Sequence, residues 1–203
     1  MSQIENWKDP FENFITKSQV HYKGKQGKIV NIYFGSCWSL KSECDGLWRN
    51  VRPNKKSCAV KVKTSAKKLL SSIYNINDFA HNAHYFLGKV NYLNEKEIKG
   101  IFNRTYNKKD LDDGLLFIQQ LFIKREQFSY EEEVRAIVKK DSTEKYIKIP
   151  VDPNFLFDEI VLDPFISMST FRLKKKEIEN AGFTGTVTRS DLYNKPHFIF
   201  KIK

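Results

Sequence analysis

The segment spanning residues 124–135 constrains the fold of this 203-residue chain more than any other feature. It begins with charged residues and ends in the alternation of polar and apolar side chains that is typical of a strand. Side chains two apart on a strand share a face, about 6 to 7 Å apart, so the pattern predicts Glu131, Glu133 and Arg135 in one row. Such charges are costly to bury unless they pair or bind something. The row is therefore either a candidate site or an Arg–carboxylate ladder on an exposed face.

Periodicity along the chain predicts an α+β fold with a mixed, mainly antiparallel sheet flanked by helices. Helices are expected over 10–18, 42–50, 65–74, 95–102, 110–124 and 169–181. Strands are expected over 28–36, 57–63, 85–93, 130–139, 146–151, 184–190 and 197–201, with a short helix and a strand in 155–162 and a loop over 21–28. No repeat or low-complexity linker divides the sequence, so we expect one domain covering residues 1–203.

Composition narrows the class of protein. Apolar residues make up 40% and charged residues 29%, which is typical of a globular protein. No apolar run reaches the roughly 18 to 20 residues that span a bilayer, and the first residues lack the plan of a signal peptide. The three cysteines and four histidines form no ligand set of familiar spacing. We therefore expect a cytoplasmic protein with no membrane association and no metal.

The net charge of +11 is the second bulk signal. It favours an anionic partner, which includes a nucleotide, a nucleic acid or an acidic protein. The densest basic clusters lie in residues 61–68 and 172–176. They do not alternate with aromatic residues as in single-strand binders, so charge alone does not choose among these partners.

Residues 34–39 form a first candidate site. A strand that runs into Gly35 and Ser36 lets the backbone approach a ligand closely. Ser39 adds a second hydroxyl, and Trp38 with Trp48 can form a stacking wall. The alternative is that Ser39 caps the next helix and that both tryptophans belong to the core.

The acidic strand is a second candidate site, because Glu133 with Glu131 or with Arg135 can hold a ribose or stabilise a cationic transition state. Glycine-rich phosphate loops, zinc-protease motifs and serine-hydrolase motifs are all absent from the sequence. A thiol nucleophile at Cys37 has no His close in sequence to activate it. A magnesium-dependent nuclease built on Glu131, Glu133 and Asp45 is a further alternative.

Four stretches together resemble the bacterial domain-of-unknown-function family 2971. They are the run Asn-Trp-Lys-Asp-Pro-Phe-Glu over 6–12, the run Ser-Cys-Trp-Ser over 36–39 with Glu43, Asp45 and Trp48, the run Phe-Ser-Tyr-Glu-Glu-Glu-Val-Arg over 128–135, and Ser-Asp-Leu-Tyr over 190–193. The resemblance covers nearly the whole chain and implies phage-defence-associated relatives. Family members commonly carry an extra strand before the Asp-Pro-Phe-Glu stretch. The chain is expected to lack that strand or to receive it from another chain.

The order of the two candidate sites is also similar, loosely, to the plan of ADP-ribosyltransferases. That resemblance implies NAD as a substrate, Glu133 as the catalytic carboxylate and Glu131 as its assistant. It implies that Ser36 and Ser39 shape the NAD pocket, that Trp38 lines it, and that Arg135 contributes to binding. The alternative function is a non-catalytic basic module that binds nucleic acid or an acidic protein partner. Its surface would consist of Lys61, Lys63, Lys67, Lys68, Lys174, Lys175 and Lys176.

Overall fold

The computed structural model describes residues 1–17, 19–22, 25–28, 32–52, 54, 57–74, 84–103, 115–140 and 142–199. Its helices and mainly antiparallel sheets confirm the predicted α+β class. Contacts between residues group the chain into two compact units. Unit 1 comprises Met1–Lys41 and Leu70–Pro150, and unit 2 comprises Ser42–Leu69 and Val151–Lys203. The single domain expected over 1–203 stays a prediction.

A four-stranded antiparallel sheet forms the centre of unit 1. Its strands are β1 (Ser2–Gln3), β4 (Tyr33–Ser39), β9 (Glu133–Lys139) and β6 (His84–Lys89), in that spatial order. Unit 1 also contains two smaller strand pairs. One is the antiparallel pair β2 (Gln19–Tyr22) and β3 (Lys25–Lys28), and the other is the parallel pair β7 (Asn91–Leu93) and β8 (Ile123–Arg125).

Helices and 3₁₀ turns connect the strands of unit 1. They are a 3₁₀ helix over Ile4–Asn6, α1 (Pro10–Lys17), α4 (Glu95–Phe102), α5 (Leu115–Gln120) and a 3₁₀ helix over Glu126–Glu131. The helix α4 begins where predicted because Asn94 and Glu97 form a reciprocal capping box. The core of unit 1 contains a buried cluster of Ile4, Tyr33, Ile118, Leu121 and Ile137.

Gly35 on β4 permits a close approach between the sheet and the N-terminal segment. A Cβ added to Gly35 would lie 2.4 Å from Trp7 Cζ2. Because real Cβ atoms essentially never come so near another carbon, glycine here lets the Trp7 indole lie directly on the sheet.

Unit 2 is built on a three-stranded sheet in which β10 (Glu159–Leu162) pairs in parallel with β11 (Thr186–Arg189) and antiparallel with β5 (Val60–Lys63). Its core contains Ile160, Leu162, Phe183 and Val187. Its helices are α2 (Asp45–Val51), α6 (Pro153–Leu156) and α7 (Met168–Asn180), while α3 (Ala66–Ile73) spans the point where the chain passes back to unit 1. The predicted end of α7 is confirmed by Gly182 at φ 95°.

Several predicted elements differ from the structure. Residues 19–22 and 25–28 pair as the strands β2 and β3, where a loop was expected over 21–28. Residues 23–24, and residues 29–31 of the first predicted strand, lie outside the described residues. The helix expected over 110–124 ends at Gln120, and residues 110–114 also lie outside the described residues. Residues 123–125 instead pair with β7.

Two further strand predictions were wrong. No strand forms over 146–151, where only an isolated bridge joins Tyr146 to Ser2. The described part of the last predicted strand, residues 197–199, is irregular, and residues 200–201 lie outside the described residues.

Candidate functional site

The register of the central sheet brings the Ser-bearing strand β4 against the Glu-bearing strand β9. Ser39 lies opposite Glu133, and Cys37 lies opposite Arg135. Directly paired residues of antiparallel strands share a face, so these four side chains belong to one face of the sheet. The 3₁₀ helix that precedes β9 and the helix α1 add further charges there.

Arg135 is completely buried at the centre of this face. Its guanidinium donates to Glu133 Oε1 at 2.8 Å, to Glu12 Oε1 at 2.6 Å and to the Leu121 carbonyl oxygen at 2.5 Å. Its Cζ lies 4.9 Å from the centroid of the Trp7 ring. Planar bidentate donation and aromatic stacking are properties that lysine would not reproduce at this position.

Lys124 links three carboxylates at the same place. Its Nζ lies 2.5 Å from Glu131, 3.0 Å from Glu133 and 3.1 Å from Glu12. We call Glu12, Lys124, Glu131, Glu133 and Arg135 the Arg135 cluster. With three carboxylates and two cations its formal charge is −1.

The protonation states of the cluster follow from its contacts. Burial raises the pKa of Glu133, but hydrogen bonds and charge from Arg135 outweigh it, so the pKa lies below its usual value. Burial lowers the pKa of Lys124, yet the hydrogen bond to Glu131 and the charges of Glu12 and Glu133 raise it overall. Glu133 and Lys124 are therefore charged at neutral pH, and Glu133 acts through its negative charge and not as a proton donor.

Cys37 is not equipped as a nucleophile. Desolvation, and next the charge of Glu133, raise the pKa of its thiol. Cys37 is nevertheless exposed, and because the thiolate is the reactive form, the raised pKa disfavours a role as nucleophile at neutral pH.

Glu131 joins the cluster by a route that differs from the predicted strand face. It lies in the 3₁₀ helix, and Glu132 follows in the left-handed conformation, with φ 43° and ψ 53°. The strand begins only at Glu133, so the expected row of Glu131, Glu133 and Arg135 on one strand was wrong. Ser39 holds this turn, because its Oγ donates to the Glu131 carbonyl oxygen at 2.5 Å.

The two glutamates differ in access to solvent. The Glu133 side chain is 3% exposed and both its oxygens accept hydrogen bonds from Arg135 or Lys124, whereas the Glu131 side chain is 19% exposed. A ligand can therefore reach the carboxylate of Glu131 more readily than that of Glu133.

Ser36 and Trp38 are not brought together with this cluster. By strand alternation they lie on the opposite face of the sheet, with Ser36 opposite Ala136 and Trp38 opposite Val134. Trp38 Nε1 is buried and has no hydrogen-bond partner among the described residues. Of the expected binding residues, Ser39 and Arg135 meet Glu131 and Glu133, and Ser36 and Trp38 do not.

Sequence reasoning missed Glu12, Lys124 and Trp7 as members of this site. Glu12 and Trp7 stand in the run over residues 6–12 that was quoted for the family resemblance, which was the available signal. The same stretch supplies Asp9, whose carboxylate lies 3.1 Å from Arg125.

Unit 2 contains an exposed counterpart, which we call the Arg49 cluster: Asp45, Arg49 and Tyr193. Arg49 Nε donates to both Asp45 oxygens at 3.0 and 2.8 Å, and the Tyr193 hydroxyl donates to Asp45. Nearby, Glu43 accepts from Trp48 Nε1 at 2.7 Å and from the Ser190 hydroxyl. Glu43 and Asp45, both quoted for the family resemblance, are thus joined by side-chain hydrogen bonds to the run over residues 190–193.

The expected basic surface is partly neutralised. Lys68 pairs with Asp158, Lys174 with Glu177, and Lys175 with Glu179. Lys63, Lys67 and Lys176 are exposed and form no ion pair with any described residue. Unit 2 nevertheless carries 16 Lys and Arg against 9 Asp and Glu, a net +7, while unit 1 has 19 against 15, a net +4.

Comparisons of the chain with protein-family models, with curated proteins and with solved structures gave no match.

Within the described ranges, no group of three or more His, Cys, Asp and Glu side chains is placed to hold a metal ion. Among the helices of those ranges, none combines the length and the apolar character needed to cross a membrane.

Proposed function

We propose that this chain is an ADP-ribosyltransferase-like protein that uses NAD as its substrate, with the Arg135 cluster as its site. Membership of the bacterial family 2971, with its phage-defence-associated relatives, is part of the same proposal. One observation carries it. Ser39, on the Ser-bearing strand, lies opposite Glu133 and holds the backbone of Glu131, although 92 residues separate Ser39 from Glu131.

The chemistry suits a carboxylate that stays ionised. In ribosyl transfer the bond between ribose C1′ and the nicotinamide nitrogen breaks, and its electron pair leaves with neutral nicotinamide. Positive charge develops on the ribose until an acceptor oxygen bonds to C1′ and loses its proton. A nearby preorganised anion stabilises that charge.

Glu131 and Glu133 have different roles in this proposal. The half-buried carboxylate of Glu131, the more accessible of the two, contacts the ribose. Glu133, buried between Arg135 and Lys124, is a positioning residue that fixes Lys124 and through it Glu131. This assignment exchanges the two roles expected from the sequence. It does so because both oxygens of Glu133 already accept hydrogen bonds.

The test is a titration of the full chain with NAD⁺, followed by thermal shift and by release of nicotinamide. NAD⁺ raises the melting temperature if it binds the folded chain. We expect Glu131→Gln to keep the shift and to lose about 100-fold in nicotinamide release, typical of a removed electrostatic group. Glu126→Gln, an exposed glutamate of the same 3₁₀ helix, is the matched control. A wild-type chain that gives neither shift nor release contradicts the proposal.

The second candidate is a basic module that binds nucleic acid or an acidic protein, and the net charge of +7 on unit 2 favours it. A charge-driven complex with an oligonucleotide weakens steeply as salt increases. We expect the triple variant Lys63→Glu, Lys67→Glu, Lys176→Glu to abolish such binding. Salt-sensitive oligonucleotide binding together with a flat NAD⁺ response selects this candidate over the transferase.

A further inference from the structure

We propose that unit 1 has a second ligand site, a pocket that binds a planar ring carrying a phosphate group, of the chemical class of a nucleoside monophosphate. The pocket has a volume of about 360 Å³ and lies between α3, the sheet and residues 147–150. That volume falls within the range of small-ligand sites.

The pocket and the Arg135 cluster lie on opposite faces of the central sheet. Tyr85 and Val138, which line the pocket, are direct partners on β6 and β9. Val138 and Arg135 are three residues apart on one strand, so their side chains point to opposite faces. The pocket is thus a separate site, and the inference does not depend on the proposed transferase activity.

Two tyrosines give one wall of the pocket an aromatic surface. The ring centroids of Tyr74 and Tyr85 lie 5.6 Å apart, with 53° between the ring planes. Tyr74 is 46% exposed although it is a large aromatic side chain in contact with another. A partly open aromatic wall of this kind suits a planar ring, because stacking adds to the gain from burying apolar surface.

The charge of the pocket favours an anion. Lys140 and Lys148 line it, and none of the described residues that line it is acidic. Lys148 is exposed and makes no ion pair with the described residues. The exposed ammonium group of Lys148 beside an aromatic wall fits a ligand whose phosphate lies at one end of a ring system.

Ser72 supplies an independent observation. Ser72 lines the pocket, and its hydroxyl is buried and has no hydrogen-bond partner in the described part of the chain. A buried hydroxyl without a partner is unfavourable, and a ligand oxygen or ring nitrogen in the pocket would satisfy it.

Isothermal titration of the full chain tests the proposal, with AMP, adenosine and inorganic phosphate as the three probes. We expect saturable binding of AMP and at least about tenfold weaker binding of adenosine and of phosphate, because each probe keeps only one half of the recognised chemistry. Equal affinity for AMP and inorganic phosphate would show that the pocket attracts anions without recognising the ring, and would overturn the proposal.

Variants locate the binding. Ser72→Leu places a large side chain in the pocket and is expected to abolish AMP binding, while Lys148→Ala weakens it about tenfold. Lys145→Ala, an exposed lysine that does not line the pocket, leaves it unchanged. AMP affinity that survives Ser72→Leu in a chain of normal melting temperature contradicts the assignment. Nicotinamide release in the same variant reports on the proposed function separately.

Discussion

The Arg135 cluster of unit 1 and the Arg49 cluster of unit 2 use the same groups in opposite surroundings. In both, an arginine binds a carboxylate with two hydrogen bonds and connects segments far apart in sequence. Arg135 is fully buried, whereas the Arg49 and Asp45 side chains are 62% and 46% exposed.

The surroundings decide what each cluster contributes. Water competes for Arg49 and Asp45, so their pairing stabilises the fold little. Arg135 and its partners have lost water, and each charge depends on the others. The buried Arg135 cluster therefore stabilises one arrangement of the segments that it joins. In the exposed Arg49 cluster, a substitution is expected to have little effect on stability.

The largest expected effect comes from removing the buried arginine. Arg135→Met leaves Glu12 and Glu133 without their guanidinium and the Leu121 carbonyl without a donor. We expect the free energy of unfolding to fall by about 3 to 5 kcal/mol, measured by urea denaturation. Arg49→Met is the matched control, with no measurable change. Equal losses in the two variants would end the distinction between the clusters.

The second largest loss of stability is expected from displacing the Trp7 ring, which covers the Arg135 cluster. A Cβ at Gly35 would meet the Trp7 ring, which stacks on Arg135, so Gly35→Ala displaces the indole. We expect a loss of about 1 to 3 kcal/mol on urea denaturation, together with a shifted ¹⁹F resonance of 5-fluorotryptophan at Trp7. Gly100→Ala is the control, because a Cβ there meets nothing within 4 Å and improves helix propensity. An unmoved Trp7 resonance in Gly35→Ala would be evidence against this packing.

The stability contributed by the Arg135 cluster is also expected to depend on pH. The pKa of Glu133 is lower folded than unfolded, so its contribution is complete above the ordinary value of 4.5 and is lost as pH falls through the folded pKa. We expect the difference in unfolding free energy between wild type and Glu133→Gln to shrink progressively below about pH 4.5. Parallel pH profiles for the two chains, from pH 7 to pH 3, would show that Glu133 does not titrate in this way.

The smallest effect is expected in the exposed cluster. Asp45→Asn weakens the contacts with Arg49 and Tyr193 but leaves every group accessible to water. We expect the melting temperature to change by no more than about 1 °C in calorimetry, at low and at high salt alike. A drop of several degrees would place the Arg49 cluster in the same class as the Arg135 cluster.

Local signals were sufficient for elements that carry their own start and stop residues. The helices α1, α4 and α7 were predicted within two residues, because Asp9 with Pro10, Asn94 with Glu97, and Gly182 each act within a turn of the chain. Residues 146–151 have a strand-like composition, yet the backbone next to Tyr146 bonds to the first residues of the chain instead. That contact spans 146 residues, and no local pattern reports it.

The same limit applies to the candidate site. The proximity of Glu133 and Arg135 was predicted correctly, since they are two apart on one strand. Glu12 was not expected beside them, because the ion pair that binds it to Arg135 crosses 123 residues. Ser36 and Trp38 were grouped with the acidic residues on sequence order alone. Because side chains alternate along β4, both lie on the face of the sheet opposite to Glu133 and Arg135.

The left-handed turn at Glu132 has a consequence for the gene. Glu131 and Glu133 reach the same lysine only because one residue between them reverses the chain from the 3₁₀ helix into the strand. Loss of a single codon from the run of three glutamates would give the same protein whichever codon was lost. The product would keep two adjacent glutamates but no residue to make the turn. The run of three glutamates thus sets the spacing between the 3₁₀ helix and the strand at this site.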